Sequence, residues 1–445
     1  MHWPNSSRHR LIARNIAVTL LAGAWTERAM ADRLETLLGS TTRSTQRGLI
    51  GAIFDKSGGP YPPSLAELTA SILEAPQFPA AARLALEYTT RLDIATRQPR
   101  FAPIARFADL EIPRLTTPGD VAAWAGLSIP ELEWFADERR QHGRTAIPIF
   151  QHYTYAFRKK SSGPPRLIEA PKPRLKTIQR KILRDILDHI PVHPAAHGFV
   201  EGRSPRTGAA QHVGAPVVIA VDLENFFLSV PVGRIHALFR SVGYPDEAAR
   251  ALTRLCTTMT PRSVIDRVPN PARHTRAALA PYLDPHLPQG APTSPALANL
   301  VAWRLDVRLA GLANSFGAKL TRYADDIVFS GDLTAPGKTQ SLIAAIAEIV
   351  EDEGFGLNDK KTRIMTASQR QSVTGIVVNS RLNARRDSYD SLKAILHNCR
   401  LNGFEAENRE GHADFRAHLE GRIGWIESLN PTRGRRLRDI FSRIP

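Results

Sequence analysis

Lys319-Leu320-Thr321-Arg322-Tyr323-Ala324-Asp325-Asp326-Ile327-Val328-Phe329-Ser330 is the stretch whose reading decides the fold. Leu320, Tyr323, Ile327, Val328 and Phe329 favour extended backbone, and Ala-Asp between the two runs predicts the tight turn of a β-hairpin. Two like charges at a half-buried hairpin tip repel unless a cation neutralises them, and carboxylate oxygens suit hard ions such as magnesium. Taken alone, the stretch admits a metal site or a solvated Asp-Asp turn, and other motifs have to decide.

The 445-residue chain is long enough for two or three domains, and 42% hydrophobic composition supports a sizeable core and excludes a disordered tail. With 59 basic against 43 acidic residues the formal net charge is +16. Such a balance suggests a polyanionic partner, most often nucleic acid, or a solubility bias. Cys256 and Cys399 are the only cysteines, too few for a disulfide framework and without zinc-site spacing, so core thiols are expected. No apolar run approaches the length of a membrane span. Arg8, Arg10 and Arg14 before an apolar run, with Ala29-Met30-Ala31 after it, imitate a secretion signal. Thr26, Glu27 and Arg28 interrupt that pattern, and the same residues fit an amphipathic helix continuing to Leu38 of a cytoplasmic protein.

Residues 1–112 read as short helices with proline-rich joints at Gly58-Gly59-Pro60 and at 97–103. Ser64-Leu65-Ala66-Glu67 is a capping box opening a helix to about Leu73, and 79–95 carries another helical pattern. A helix start follows Thr116-Thr117-Pro118, and Ser128 to Glu131 forms a second capping box beside the apolar stripe Trp124, Leu127, Leu132 and Phe135. The segment 151–182 then holds nine basic residues against Glu169 alone, half of the excess charge of the chain. A strand, a Ser-Ser-Gly-Pro-Pro turn, a strand from Arg166 to Glu169 and a helix from about Lys172 would present those cations to phosphates, or simply to solvent.

Ala-Pro-Val-Val-Ile-Ala-Val-Asp-Leu, residues 215–223, is a continuously apolar strand of the kind buried on both faces, and it ends in Asp222. That aspartate sits at the rim of a sheet, or caps the helix that begins near Pro231. Leu287-Pro288-Gln289-Gly290-Ala291-Pro292-Thr293-Ser294-Pro295 is a turn-forming stretch that leads into a helix over 296–309, whose N-terminus favours anions or a nucleotide, or is simply capped. After the Asp-Asp hairpin come an amphipathic helix over 339–353, the turn Leu357-Asn358-Asp359-Lys360-Lys361-Thr362, a strand over 363–365 and a short strand over 372–378. From about Asp387 the chain is helical again, with Arg433, Arg435, Arg436 and Arg438 near its end.

In this order the motifs resemble a reverse transcriptase, and within that group a retron reverse transcriptase, over roughly Thr116 to the C-terminus. Asp222 with Phe227, Gln289-Gly290 with 291–295, Tyr323-Ala324-Asp325-Asp326 and 358–362 are similar to the successive palm motifs, and the segment around Arg166 to the fingers. Val373-Thr374-Gly375 resembles a retron signature. A second signature, Asn-Ala-x-x-His, stands here as Gly208-Ala209-Ala210-Gln211-His212, with Gly in place of Asn.

The resemblance implies an α+β right-hand polymerase with fingers, a ferredoxin-like palm and a helical thumb, plus a helical N-terminal extension. The expected segments are 1–112 for the extension, 113–210 for N-terminal helices and fingers, 211–381 for the palm and 382–445 for the thumb. It implies that Asp222 and Asp325, supported by Asp326, hold two magnesium ions, one activating the primer hydroxyl and one steadying the leaving pyrophosphate. Lys361 is expected to donate a proton to pyrophosphate. Arg166, with Lys172 as helper, would clamp the deoxynucleoside triphosphate, Phe227 would exclude a 2′-hydroxyl, and Gln289, Gly290 and Tyr323 would line the substrate site. His212, Val373, Thr374, Gly375, Arg435 and Arg436 are the expected RNA contacts, A-form duplex being held by backbone and 2′-hydroxyl contacts. The implied partners are a cognate structured non-coding RNA, its branched DNA product and an accessory effector protein of antiphage defence, with no membrane. Another bacterial reverse transcriptase, of abortive-infection or intron-derived type, and a non-catalytic RNA-binding scaffold are the alternatives.

Overall fold

The computed structural model describes residues 7–38, 43–57, 62–87, 99–137, 147–159, 165–269 and 279–444. The Gly58-Gly59-Pro60 joint, Arg97, Lys160, residues 161–164 of the expected Ser-Ser-Gly-Pro-Pro turn and the far end of the helix expected over 79–95 lie outside them. Contacts divide the chain into two compact units, Met1–Pro191 with Val230–Val301 and Val192–Ser229 with Ala302–Pro445. Helices combine with antiparallel sheets, the α+β class expected. Among the described residues no helix is long and apolar enough to cross a membrane.

The first unit opens with helices Ser7–Leu21, Glu27–Leu38, Arg43–Ser57, Leu65–Glu74 and Phe78–Glu87, which bury a core of their own around Ile16, Leu34, Ile53, Leu68 and Ile72. The single helix expected through Leu38 is two. Arg33 of the second donates to the Leu20 and Ala24 carbonyls at 2.8 and 2.9 Å, so the carbonyls left over at the break are satisfied by a side chain. Both capping boxes form as expected, Ser64 with Glu67 and Ser128 with Glu131, and Thr117 with Asp120 makes a third. Gly119 joins the bundle to the helix Pro118–Ala125: its amide donates to the Pro62 carbonyl at 3.2 Å, and a Cβ there would lie 2.3 Å from the Ser64 nitrogen.

Further along, β1 (Tyr153–Arg158) and β2 (Arg166–Pro171) pair antiparallel, Arg158 opposite Arg166. The helix Pro173–Asp185 follows at once, with Lys172 at its N-cap and proline in its first turn. It buries Leu175, Ile178, Gln179 and Ile182 and leaves Arg174 and Arg180 exposed, so the charge of this segment is on its outer face.

The second unit carries β3 (Val217–Asp222), β4 (Ala318–Tyr323), β5 (Asp326–Gly331) and β6 (Arg363–Thr366), ordered β4-β5-β3-β6 with every neighbour antiparallel. All six residues of β3 are buried, as its unbroken apolar run predicts. The helices Trp303–Ser315 and Lys338–Asp352 belong to the same unit. The helix expected over 296–309 is instead Ser294–Val301 and Trp303–Ser315, because Ala302, at φ −74° and ψ 1°, leaves helical geometry between them. The strand expected over 372–378 is a minimal hairpin, β7 (Ser372–Val373) and β8 (Ile376–Val377), turned by Thr374 and Gly375 at φ 45° and 83°. Helices Arg386–Glu407, Phe415–Leu429 and Pro431–Phe441 close the chain around Leu396, Cys399, Leu419, Ile423 and Leu437. Cys256 and Cys399 are both buried free thiols, as expected.

Candidate active site

The register of β3 against β5 sets Asp222 directly opposite Asp326. Between β4 and β5 the chain turns through Ala324, held at φ 55°, a left-handed conformation that a side chain makes costly. The Leu223 amide donates to the Asp325 carbonyl at 3.0 Å, so the turn is tied to the end of β3 and the hairpin tip is not a loose solvated loop. From the 3-10 turn Asp359–Lys361, the Lys361 ammonium donates to both carboxylate oxygens of Asp222, at 2.7 and 3.0 Å. The Asn358 amide donates to the Asp222 carbonyl at 2.8 Å, which fixes that turn beside the strand. Asp222 does not cap the helix near Pro231, where the N-cap is Pro231 itself.

Asp222, Asp326, Lys361 and Arg363 line one pocket with Ala220, Val221 and Lys360. Burial, then the charges of Asp325 and Asp222, push the Asp326 carboxyl up to about 6, against the opposing pull of Arg363 and Lys361. Such repulsion marks a place where a cation would relieve the folded state. Among the described residues no three His, Cys, Asp or Glu side chains are gathered into a cage able to hold an ion by themselves. An open platform of carboxylates is nonetheless what magnesium takes, since it is commonly bound by one or two carboxylates with substrate phosphates and water completing its shell. The donor set therefore fits a hard divalent ion whose shell is completed from outside the protein.

Beyond β3, Phe227 is half-buried, its ring 5.7 Å from that of buried Phe226, which in turn lies 5.9 Å from Phe355. Tyr323 is also half-buried, 6.0 Å from the ring of Phe199. Gly198 allows the segment before it to reach the Ala324-Asp325 turn, because a Cβ there would lie 2.7 Å from the Ala324 nitrogen.

Four expected substrate residues belong to the first unit. Arg166 is exposed at the head of β2. The Lys172 ammonium donates to the carbonyls of Pro148 and Ile149 at 2.6 and 3.4 Å, which places it as an anchor for the 3-10 turn Pro148–Phe150. Gln289 accepts from the Glu169 amide at 2.8 Å, and Gly290, at φ 136°, brings its backbone to where a Cβ would lie 3.0 Å from the Glu169 carbonyl oxygen. Behind this turn Glu169 and His286 form a buried ion pair at 2.8 Å, with Thr260 donating to the second carboxylate oxygen at 2.7 Å. Burial alone would lower the His286 imidazole, but Glu169 and the Asp284 carbonyl hold it above its ordinary value.

His212 is 1% exposed and bridges two strands, with its ring nitrogens 2.7 Å from the Ser330 and Thr321 hydroxyls. Burial, then Lys319 and His197, push it down to about 4, so it is a neutral brace between β4 and β5 with no surface for RNA. Val373 is buried as well, leaving Gly375 as the exposed part of that signature. Gly208 is buried in the short helix Pro205–Ala210, where a Cβ would meet His197 at 3.4 Å. Arg435 and Arg436 are exposed on the last helix.

Arg322, Asp306 and Glu169 are buried charges that belong to none of the expected site residues. Asp306 shares the buried stripe of its helix with Leu305, Leu309 and Ala313, and Glu169 shares the inward face of β2 with Leu167 and Pro171. A lone charge on an apolar face was the available signal in both cases.

Residues 157–379 match the family described as reverse transcriptase (RNA-dependent DNA polymerase). The chain is 40% identical over 342 residues to the Retron Mx65 reverse transcriptase of Myxococcus xanthus, covering 76% of this chain and 74% of that protein. Against the Retron Mx162 reverse transcriptase of the same organism the identity is 38% over 329 residues, covering 70% and 63%. Against the Retron Ec86 reverse transcriptase of Escherichia coli it is 30% over 299 residues, covering 66% and 82%. The chain belongs to the retron reverse transcriptases and is an RNA-directed DNA polymerase.

Proposed function

We propose that the enzyme binds a cognate structured non-coding RNA and copies part of it into branched multicopy single-stranded DNA, in the service of antiphage defence with an accessory effector protein. In this reading the four-stranded sheet is the palm, β1, β2 and the helix after them belong to the fingers, and the three C-terminal helices are the thumb. The observation that carries the reading is the alignment of Asp222 with Asp326 beside the Asp325 turn, with Lys361 on the Asp222 carboxylate.

Asp222, Asp325 and Asp326 would hold the magnesium ions, which when bound supply Lewis-acid stabilisation of phosphoryl oxygens and ease deprotonation of the attacking hydroxyl. The chain's own part is positioning and charge. Lys361 neutralises Asp222 in the free enzyme; a triphosphate would compete for its ammonium, leaving it beside the leaving pyrophosphate as a proton donor. Phe227, backed by Phe226, offers a rigid ring that excludes a 2′-hydroxyl from the sugar site. Arg166 is the proposed triphosphate clamp, a guanidinium being suited to bidentate phosphate contact. Gln289 and Gly290 present backbone close to β2, consistent with a lining role. The exposed Gly375, Arg435 and Arg436 are the proposed RNA contacts, whereas His212 and Val373 are buried.

Sequencing the nucleic acid that copurifies with the protein tests the retron reading: a single DNA species joined to a guanosine 2′-hydroxyl of one RNA is expected. Untemplated or genome-wide DNA without that branch would assign the enzyme to another class of reverse transcriptase. We further propose that the N-terminal bundle, with its separate core, docks the effector. Removing residues 1–110 is then expected to leave DNA synthesis intact and abolish defence, and lost synthesis would refute docking.

A further inference from the structure

We propose that Arg322 and Asp306 act as a positioning pair that sets both the catalytic turn and the sugar-excluding ring, an inference that rests on the polymerase reading of this sheet. Their side chains are almost wholly buried, at 0% and 1% exposure. The guanidinium donates from Nε and Nη2 to the two Asp306 oxygens, both at 2.6 Å, a fork-to-fork geometry that only Arg can make. Its remaining arm, Nη1, donates to the Ala324 carbonyl at 3.1 Å. That carbonyl belongs to the left-handed residue immediately before Asp325, so the contact holds the peptide whose orientation aims the Asp325 side chain.

The same guanidinium lies over the Phe226 ring, 5.6 Å from its centroid, and Phe226 is the ring against which Phe227 rests. The Arg322 backbone is also fixed: its amide donates to the Ala195 carbonyl and its carbonyl accepts from the His197 amide, each at 2.7 Å. One side chain thus joins a helix, the strained turn and the aromatic shelf, all within the second unit. Fully buried, the Arg322 side chain has no surface to offer a substrate. Its effect passes through Ala324-Asp325 on one side and Phe226-Phe227 on the other, so two properties that have no chemical reason to covary, rate and sugar choice, should change together.

The test measures kcat and KM for a deoxynucleotide, and the ratio of deoxynucleotide to ribonucleotide incorporation, on an RNA template. Wild type, Arg322→Lys, Phe226→Leu and the double variant Arg322→Gln with Asp306→Asn are compared per folded molecule. Arg322→Lys keeps the charge but loses the fork and the arm to Ala324; kcat is expected to fall about 10- to 100-fold, with KM changing less than about threefold, because a misplacement of about 1 Å at the reacting centre has that size of effect. The incorporation ratio is expected to fall in Arg322→Lys and in Phe226→Leu. The double variant leaves no buried charge unpaired and is expected to fold while showing the same joint loss. Wild-type rate and wild-type sugar choice in the folded variants, or a loss accounted for entirely by the unfolded fraction, would overturn the proposal. An inactive wild-type protein would instead refute the polymerase reading on which it rests.

Discussion

Each unit places a buried ion pair behind a turn proposed for the active site, and the two pairs differ in the cation. Asp306 and Arg322 stand behind the Ala324-Asp325 turn of the second unit, Glu169 and His286 behind the Gln289-Gly290 turn of the first. A guanidinium does not titrate in the range where proteins work, whereas an imidazole does. The turn that carries the carboxylates is tied directly to a guanidinium, whereas the turn proposed to line the substrate site is tied to the backbone of Glu169, whose side chain is paired with an imidazole that a change in proton concentration can discharge. Fixed geometry suits a metal platform, where small errors in carboxylate placement cost rate. A lining turn needs only to approach closely, which Gly290 already permits.

The comparison breaks most visibly if the pairs are cut. Arg322→Ala leaves the Asp306 carboxylate buried without its fork and is expected to cost about 3–5 kcal/mol of stability, read by urea unfolding. A loss below about 1 kcal/mol would show that the pair is not structural. His286→Ala is expected to cost less, about 2–3 kcal/mol, because Glu169 keeps the Thr260 bond.

The difference between the cations is sharper as a function of pH. Because the folded His286 imidazole is held above its ordinary value, its contribution is fully present below the unfolded value of about 6.5 and is lost as pH rises through the folded one. Groups facing it are Glu169, Asp284, Thr260 and Tyr282. Hydrogen exchange is expected to show β2 and the 286–290 segment losing protection toward alkaline pH, with the β4–β5 turn unchanged, and His286→Gln is expected to flatten the trend. Equal alkaline loosening at both turns would remove the contrast.

A smaller effect concerns the carboxylates themselves. Asp326 carries a cost from burial and from Asp325 and Asp222, so Asp326→Asn is expected to raise stability in metal-free neutral buffer by about 1–2 kcal/mol. Unchanged or lowered stability would show that Lys361 and Arg363 already compensate the repulsion.

How much of this was legible in the sequence depended on whether a residue's job is set by local pattern. The Asp-Asp hairpin, the buried strand ending in Asp222 and the capping boxes at Ser64 and Ser128 follow from alternation and short-range side-chain chemistry, and the structure holds all of them. The break at Ala302 was not legible, because alanine favours the helix that tertiary structure interrupts there. Lys172 reads as one cation among nine, and its engagement with the Pro148 and Ile149 carbonyls depends on chain more than twenty residues away. His212 is expected as an RNA contact, and only the closure of strands β4 and β5 around it makes it a core histidine. Arg322 lay inside the stretch that decides the fold, yet its partner is sixteen residues earlier on a helix, and nothing in either local pattern joins them.

The measurement closest to the central claim is magnesium-dependent extension of a primer on an RNA template by wild type and Asp325→Asn, with thermal unfolding recorded for both. The carboxylate platform predicts that the variant unfolds no earlier than wild type while DNA synthesis falls by about 10³-fold or more. Synthesis at the wild-type rate by the folded variant would contradict the assignment of Asp222, Asp325 and Asp326 as the polymerase site.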